Sequence, residues 1–492
     1  MAIALILIYA LCMLFIFAYS LVQLQLVFHY LKYRKNQKKE EPRAMEKVLE
    51  NQPFVTIQLP IYNEMYVVER LIDCVAQMDY PKDKLEVQVL DDSDDQTVEI
   101  IAQRVAHHKA SGLNIVHLRR PKRLGFKAGA LAYGLSIAKG ELVAVFDADF
   151  LPGADFLKRT VGEFSVDRIG MVQTRWEHVN KNYSMLTKLQ AFGLDAHFSV
   201  EQAGRNQGGH FINFNGTAGI WRKACIEDSG GWQADTLTED LDLSYRAQLR
   251  GWKFKFKEDC GSPAELPAEM NALKTQQYRW TKGAAECSRK NLGKLLRSEN
   301  FTFKTKVNGV FHLLNSTLFI CIVITSLLSV PMLFVKHRYP EYAGVYQLAG
   351  FFLFGVLFLA IFYYASYALN GKGLIRSLPS FLIRFPLFLA ISMGLSLHNG
   401  IAAFEGLIGR KTAFIRTPKF NIKAQGDQWK GNQYLSGKIG KLTFLEIALV
   451  FYFIAGIALS YYFSDFGLFP FLLLLVIGYS FVSVQSIRHA MS

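Results

Sequence analysis

The chain has 492 residues, 51% of them apolar and 20% charged, with a formal net charge of +14. The apolar residues gather in long uncharged blocks, which excludes a purely soluble protein and predicts one soluble domain plus membrane helices. Six cysteines without metal or redox spacing exclude a zinc module and a disulfide framework, and fit a reduced cytosolic domain.

The first block, Ala2 to Leu31, carries no charge. It is long for a signal peptide and has neither a basic n-region nor a small-residue cleavage site, so residues 1–31 read as a retained transmembrane anchor. A basic run, "LKYRKNQKKEEPR", follows. Residues 50–300 are polar enough for one large globular domain. Their first half alternates strands and helices. "FVTIQL" (54–59), "LEVQVL" (85–90), "LNIVHL" (113–118) and "LVAVF" (142–146) read as strands. Helical patterns follow at 67–75, 97–108 and 126–138. This is the pattern of a Rossmann-like, doubly wound parallel α/β sheet, whose ligands bind at the carboxyl ends of its strands.

Residues 306–490 read as the remaining membrane region. Helices are expected near 310–335, 345–369, 443–463 and 467–487, giving five spans with the first. The apolar stretch 385–397 is short, contains Pro386 and is bracketed by Arg384 and His398. Residues 373–408 therefore read as an interfacial or re-entrant segment. Residues 410–441 are basic, with Asp427 as their one acid. Excess positive charge beside membrane helices marks the cytoplasmic side. The protein is thus expected to be a multi-pass membrane protein with a cytoplasmic soluble domain, in the inner membrane if bacterial. Lys336 and Arg338, which would lie outside, run against that rule. Because the basic excess is juxtamembrane rather than on the soluble domain, nucleic acid is not expected as a partner.

Candidate chemistry lies at the strand ends. Tyr62, Asn63 and Glu64 follow the first strand, "DDSDD" (Asp91 to Asp95) the second, and "DADF" with Asp147 and Asp149 the fourth. Three acidic edges on one crevice need an offsetting cation. Mg²⁺ or Mn²⁺ suits carboxylate oxygens and leaves positions open for phosphate. Asp147 and Asp149 project to the same side of an extended chain and could share one metal–diphosphate unit. In "TLTEDLDLSYR", Thr238 reads as a helix cap with Glu239 and Asp240 in the first turn. The acids there suit the helix dipole in any case, and Asp240, oriented by the helix start, could in addition take the proton of an attacking hydroxyl. In "QQYRWTKG", Arg279 can clamp a phosphate and Trp280 offers a flat face to a sugar ring.

The ordered set "PIYNE", "LDDSDD", "GFKAGAL", "FDADF", "FNGTAGIWR", "LTEDLDLSYR" and "QQYRW" resembles the membrane-bound family 2 glycosyltransferases of the cellulose synthase superfamily. "QTRWEHVN", "FINFNGTAG" and "ELPAEMNALKTQQYRW" are most similar to the cellulose-synthase-like A and C proteins, which make β-1,4-mannan and β-1,4-glucan backbones. The resemblance implies a GT-A fold for residues 50–300. It implies a processive, inverting, metal-dependent hexosyl transfer from UDP-glucose or GDP-mannose onto a growing β-linked, β-1,4 polysaccharide. By the same resemblance, Tyr62, Glu64 and Asp92 would hold the nucleoside, with Lys127 near the nucleotide or diphosphate. Asp147 would contact the diphosphate and share the metal with Asp149. Asp240 would be the base, beside Glu239. Gln276 and Arg279 would serve the donor and Trp280 the acceptor sugar, which Phe214, Asn215, Gly216 and Thr217 would flank. "FIRTPK" is similar to the family's gating-loop motif F-x-V-T-x-K, matched by Phe414, Thr417 and Lys419, with Arg416 where the family has valine.

A lipid acceptor and single-sugar transfer, similar to ceramide glucosyltransferase, is the enzymatic alternative. A transporter with a nucleotide sensor is disfavoured, because the apolar spans carry almost no ionisable residues and no phosphate-binding G-x-x-x-x-G-K-[ST] loop is present. Membrane lipids are expected partners, and a homo-oligomer or an export partner is a further expectation.

Overall fold

The computed structural model describes residues 2–40, 52–342, 346, 353–371, 373–435 and 439–491. The end of the first basic run, and residues 345 and 347–352 of the span expected at 345–369, lie outside them.

Seven strands form one sheet: β1 (Val55–Ile61), β2 (Leu85–Asp91), β3 (Ile115–Arg119), β4 (Leu142–Val145), β5 (Ile169–His178), β6 (Gly219–Arg222) and β7 (Lys253–Ala264). Their order is β3-β2-β1-β4-β6-β5-β7. The first four strands are mutually parallel, as their alternation with helices predicts. β6 departs from that pattern and runs antiparallel to both β4 and β5, so the sheet is mixed. β7 alternates Lys253, Lys255 and Lys257 with Phe254 and Phe256, and only the phenylalanines are buried. Such alternation suits an edge strand with one covered face, and lysine discourages edge pairing.

β1 and β2 are buried on both faces, hence their near-continuous apolar runs. Val55, Ile57, Leu59, Val87 and Val89 fill the core on one side. On the other, buried polar residues pair across the strands. The Gln58 amide donates to Gln88 Oε1 at 3.0 Å, and Thr56 Oγ1 donates to Glu86 at 2.9 Å.

Among the described residues, five helices are long and apolar enough to cross a membrane: Ala2–Asn36, Thr317–Arg338, Leu374–Gly394, Lys441–Tyr462 and Phe469–Ala490. Leu353–Leu369 is a shorter apolar helix. Leu374–Gly394 differs from the interfacial segment expected at 373–408. It continues through Pro379 and Pro386, and Arg384 lies over the Tyr367 ring, 5.3 Å from its centroid. Prolines are tolerated in helices of this kind where neighbouring groups satisfy the backbone, so Pro386 and Arg384 did not end it. Lys336 is not a free outer charge: it pairs with Asp465 at 2.6 Å.

The membrane helices are joined to the sheet domain by the long helix Met270–Arg297. Lys274 on it reaches both oxygens of the buried Glu446 on Lys441–Tyr462 at 2.8 Å. The helix Ser396–Ile408 lies close against it at Gly406, where a Cβ would fall 2.6 Å from the Lys282 carbonyl oxygen.

Candidate active site

β1, β2 and β4 are parallel, so their carboxyl ends open on the same side of the sheet and build one wall of a cleft. The turn after β1 holds Asn63 at φ 54°. Asn63 is locked to the loop after β2: its amide donates to Asp94 Oδ1 at 2.7 Å and its backbone N–H to Ser93 Oγ at 2.9 Å. Asp92 is paired with Arg120. Tyr62 lies beneath Arg123, whose guanidinium carbon is 3.3 Å from the ring centroid.

Asp147 and Asp149 follow β4, and each accepts from a lysine. Lys127 Nζ is 2.5 Å from Asp147, and Lys419 Nζ is 2.6 Å from the buried Asp149. Around Lys127, burial works against the charge, but Asp147, Glu239 and Asp240 outweigh it and raise the ammonium pKa. Among the described residues no three His, Cys, Asp or Glu side chains converge as a metal cage. Magnesium is commonly held by one or two carboxylates, with substrate phosphates completing the shell. The Asp147/Asp149 pair fits that donor set, and the two ammonium groups mark it as a place for positive charge.

The opposite wall is the start of the helix Glu239–Leu249. Thr238 occupies the cap position, but its side chain does not cap; it meets Cys287 Sγ at 3.4 Å instead. Glu239 and Asp240 line the cleft as adjacent, half-buried carboxyls. Burial and the neighbouring Glu239 push Asp240 up to about 7, against the pull of Lys127. Gly216 faces it at φ +80°, where a Cβ would meet Asp240 Oδ2 at 3.0 Å. The glycine supplies the left-handed turn and leaves the carboxylate clear. Lys127 also donates to the Gly216 carbonyl at 2.9 Å, tying both walls together.

Glu269 caps the helix Met270–Arg297, accepting from the N–H groups of Asn271 and Ala272 at 2.7 Å. Gln276, Arg279 and Trp280 lie three and four residues apart, on one face of that helix, and all line the cleft. The segment between the helices ending at Ile408 and starting at Lys441 closes over the top. Phe414 stacks on Phe126 with centroids 5.3 Å apart, and Arg279 donates to Thr417 Oγ1 at 2.9 Å. Arg416 pairs with Glu64 at 2.9 Å, and Tyr434 donates to Asp95. Burial pushes Glu64 up to about 8, with Arg416 opposing.

The cleft brings together Tyr62, Glu64, Asp92, Lys127, Asp147, Asp149, Asn215, Gly216, Glu239, Asp240, Gln276, Arg279, Trp280, Phe414, Thr417 and Lys419. Phe214 and Thr217 do not reach it. Phe214 is fully buried against Trp221 and Trp232, and Thr217 Oγ1 accepts from the Asp147 N–H at 2.9 Å from behind. Further lining residues were given no role in the sequence, among them Arg123, Trp176, His178 and Glu265, and Arg416 was noted only as standing where the family has valine. Trp176 and His178 sit at the end of β5, whose "MVQTRW" run was itself a legible strand signal.

Residues 52–283 match the family model described as glycosyltransferase like family 2. Over 419 residues the chain is 33% identical to glucomannan 4-beta-mannosyltransferase 9 of Arabidopsis thaliana, covering 81% of this chain and 74% of that protein. The chain belongs to glycosyltransferase family 2. Glucomannan 4-beta-mannosyltransferase 7 of the same plant is 37% identical over 354 residues, 67% of this chain. That match spans 62% of the relative's length. Among solved structures, the family 2 chain is similar to a mannosyltransferase from Pyrobaculum calidifontis in complex with GDP-mannose and Mn²⁺. The TM-score is 0.51 at 19% identity, covering 80% of this chain and 100% of that one, a likeness of fold.

Proposed function

We propose that this chain is a membrane-bound, processive, inverting glycosyltransferase that moves a hexose from a nucleotide sugar onto a growing β-1,4-linked glycan. Its relatives are named as mannosyltransferases, which favours GDP-mannose over UDP-glucose. The observation that carries the reading is the meeting, in one cleft, of a lysine-paired carboxylate pair with a carboxyl raised to about 7.

Tyr62, Glu64 and Asp92 would receive the nucleoside, and Asp147 and Asp149 would hold a divalent ion. That ion, when bound, supplies charge neutralisation to the diphosphate. Arg279 and Lys127 would stabilise the same charge as the bond to the anomeric carbon breaks. Gln276 would steady the donor beside Arg279, and Trp280 would support the acceptor ring. Asp240 would take the acceptor hydroxyl's proton as its oxygen attacks from the opposite face. One displacement turns an α-linked donor into a β-glycoside. The loop carrying Phe414, Thr417 and Lys419 would cover the donor and exclude water. Asn215 and Gly216 would touch the acceptor; Phe214 and Thr217 would serve only as their support. A cytoplasmic catalytic side and assembly with an export partner belong to the same reading.

The test is transfer by the full chain in lipid with Mg²⁺ or Mn²⁺, with labelled GDP-mannose and UDP-glucose offered separately. A long polymer lost on chelation supports the reading. A single sugar on an extracted lipid overturns processivity.

A further inference from the structure

Behind Asn215 lies a half-buried polar cluster that the reaction as described does not use. The helix running from Met185 to Gln207 is interrupted by a π-helical turn, His197–Glu201. A π turn is wider than an α turn and often sits at functional sites. With more residues per turn, positions i+4 and i+5 fall on the face of residue i. Here that places Glu201 and Gln202 with His197, all turned toward the segment of residues 213–215.

The hydrogen bonds fix one direction through this cluster. The Gln202 NH₂ faces the Asn213 backbone carbonyl at 3.1 Å, an acceptor only, so its amide cannot be reversed. The same NH₂ meets Asn213 Oδ1 at 3.2 Å. Asn213 must then offer its own NH₂ to Asn215 Oδ1, at 2.8 Å. His197 Nε2 reaches the same Asn215 oxygen at 3.1 Å, while His197 Nδ1 meets Glu201 at 2.8 Å. Both partners are acceptors, so both ring nitrogens carry protons. Burial works against that charge, but Glu201 and Asn215 outweigh it and raise the His197 pKa. The Asn215 oxygen is thereby committed inward. Its NH₂ has only the Asn213 carbonyl, at 3.5 Å, and a free proton remains for the cleft.

We propose that His197, held as an imidazolium between Glu201 and Asn215, is a positioning residue that fixes the Asn215 amide with its NH₂ toward the cleft, as a donor to hydroxyl and ring oxygens of the acceptor glycan. The inference rests on the glycosyltransferase reading for the nature of the acceptor. It assigns work to a residue that touches neither substrate.

The test is calorimetric binding of β-1,4-linked mannotetraose, and separately cellotetraose, to the full chain in nanodiscs with GDP. Asn215→Ala and His197→Ala should each weaken tetraose binding about tenfold, the order of one well-made hydrogen bond. The double variant should be no weaker than either single one, because both changes remove the same donor. GDP affinity should stay within about twofold in all three, which separates positioning from misfolding. His197→Gln keeps a donor for the Asn215 oxygen and should recover most of the affinity. Unchanged binding in His197→Ala, losses that multiply in the double variant, or no tetraose binding by the wild-type chain would each overturn the inference. Sugar turnover is measured on the same preparations. Tetraose binding without transfer from either donor would sink the functional reading and leave this one standing.

Discussion

The cleft holds two acidic pairs, and they manage burial in opposite ways. Asp147 and Asp149 each face their own lysine, one from the helix after β3 and one from the covering loop. Glu239 and Asp240 face each other, with Lys127 shared, and both are raised. A carboxylate matched by a cation already faces positive charge, which suits the proposed binding of a metal and a diphosphate. A carboxyl crowded by a second one is held near neutrality, where it can accept and release a proton. On the proposed reading, the same residue type divides into a binding wall and a proton-transfer wall by its neighbours alone.

The comparison can be broken most sharply at Asp240. Asp240→Asn should lower transfer by about 10²–10⁴-fold, the range for a lost general base, while donor affinity survives. Initial rates and donor titrations check both halves. At the other wall, Asp149→Ala should cost binding and fold together. It strands the mostly buried Lys419, and an unpaired buried charge costs about 3–5 kcal/mol. A lowered melting temperature with loss of metal-dependent donor affinity is the expected result.

A subtler change sharpens the contrast. Asp240 must be ionised to accept a proton, so the transfer rate should rise with pH and level off above about 7. Glu239→Gln removes the like charge that helps raise Asp240, so that limb should move to lower pH. A limb that stays put would show that burial alone sets the value. The smallest effect is expected for Arg416→Val. It releases Glu64 from its 2.9 Å partner at the rim and should change the donor KM only about two- to fivefold, as for a partly exposed pair.

Most of the binding wall was legible in the sequence, because strands buried on both faces announce themselves and their ends carry the acids. The edge of Leu142–Val145 and the pair that follows it needed no tertiary information. The second half of the sheet was harder. β6 is four residues long and antiparallel, and so short a run has no periodicity to read. The Thr238 cap failed because Gly283 on the neighbouring helix comes against that side chain, a tertiary contact that local pattern does not reveal. Phe214 and Thr217 share a motif with Asn215 and Gly216, yet the chain turns at Gly216 with φ +80°, so Thr217 falls behind the Asp147 backbone and Phe214 packs into the core. Leu374–Gly394 was hidden by Arg384, whose charge finds an aromatic face within the helix bundle.

The lysine on Asp149 bears on how the protein waits between turnovers. Each carboxylate proposed to hold a metal already carries a counter-charge supplied by the chain, so the fold does not depend on the ion to hold those acids together. Chelation should therefore silence the enzyme and leave its melting temperature where it was. Under the proposed metal dependence, protein stripped of divalent ions should stay folded and regain activity when the ion is returned.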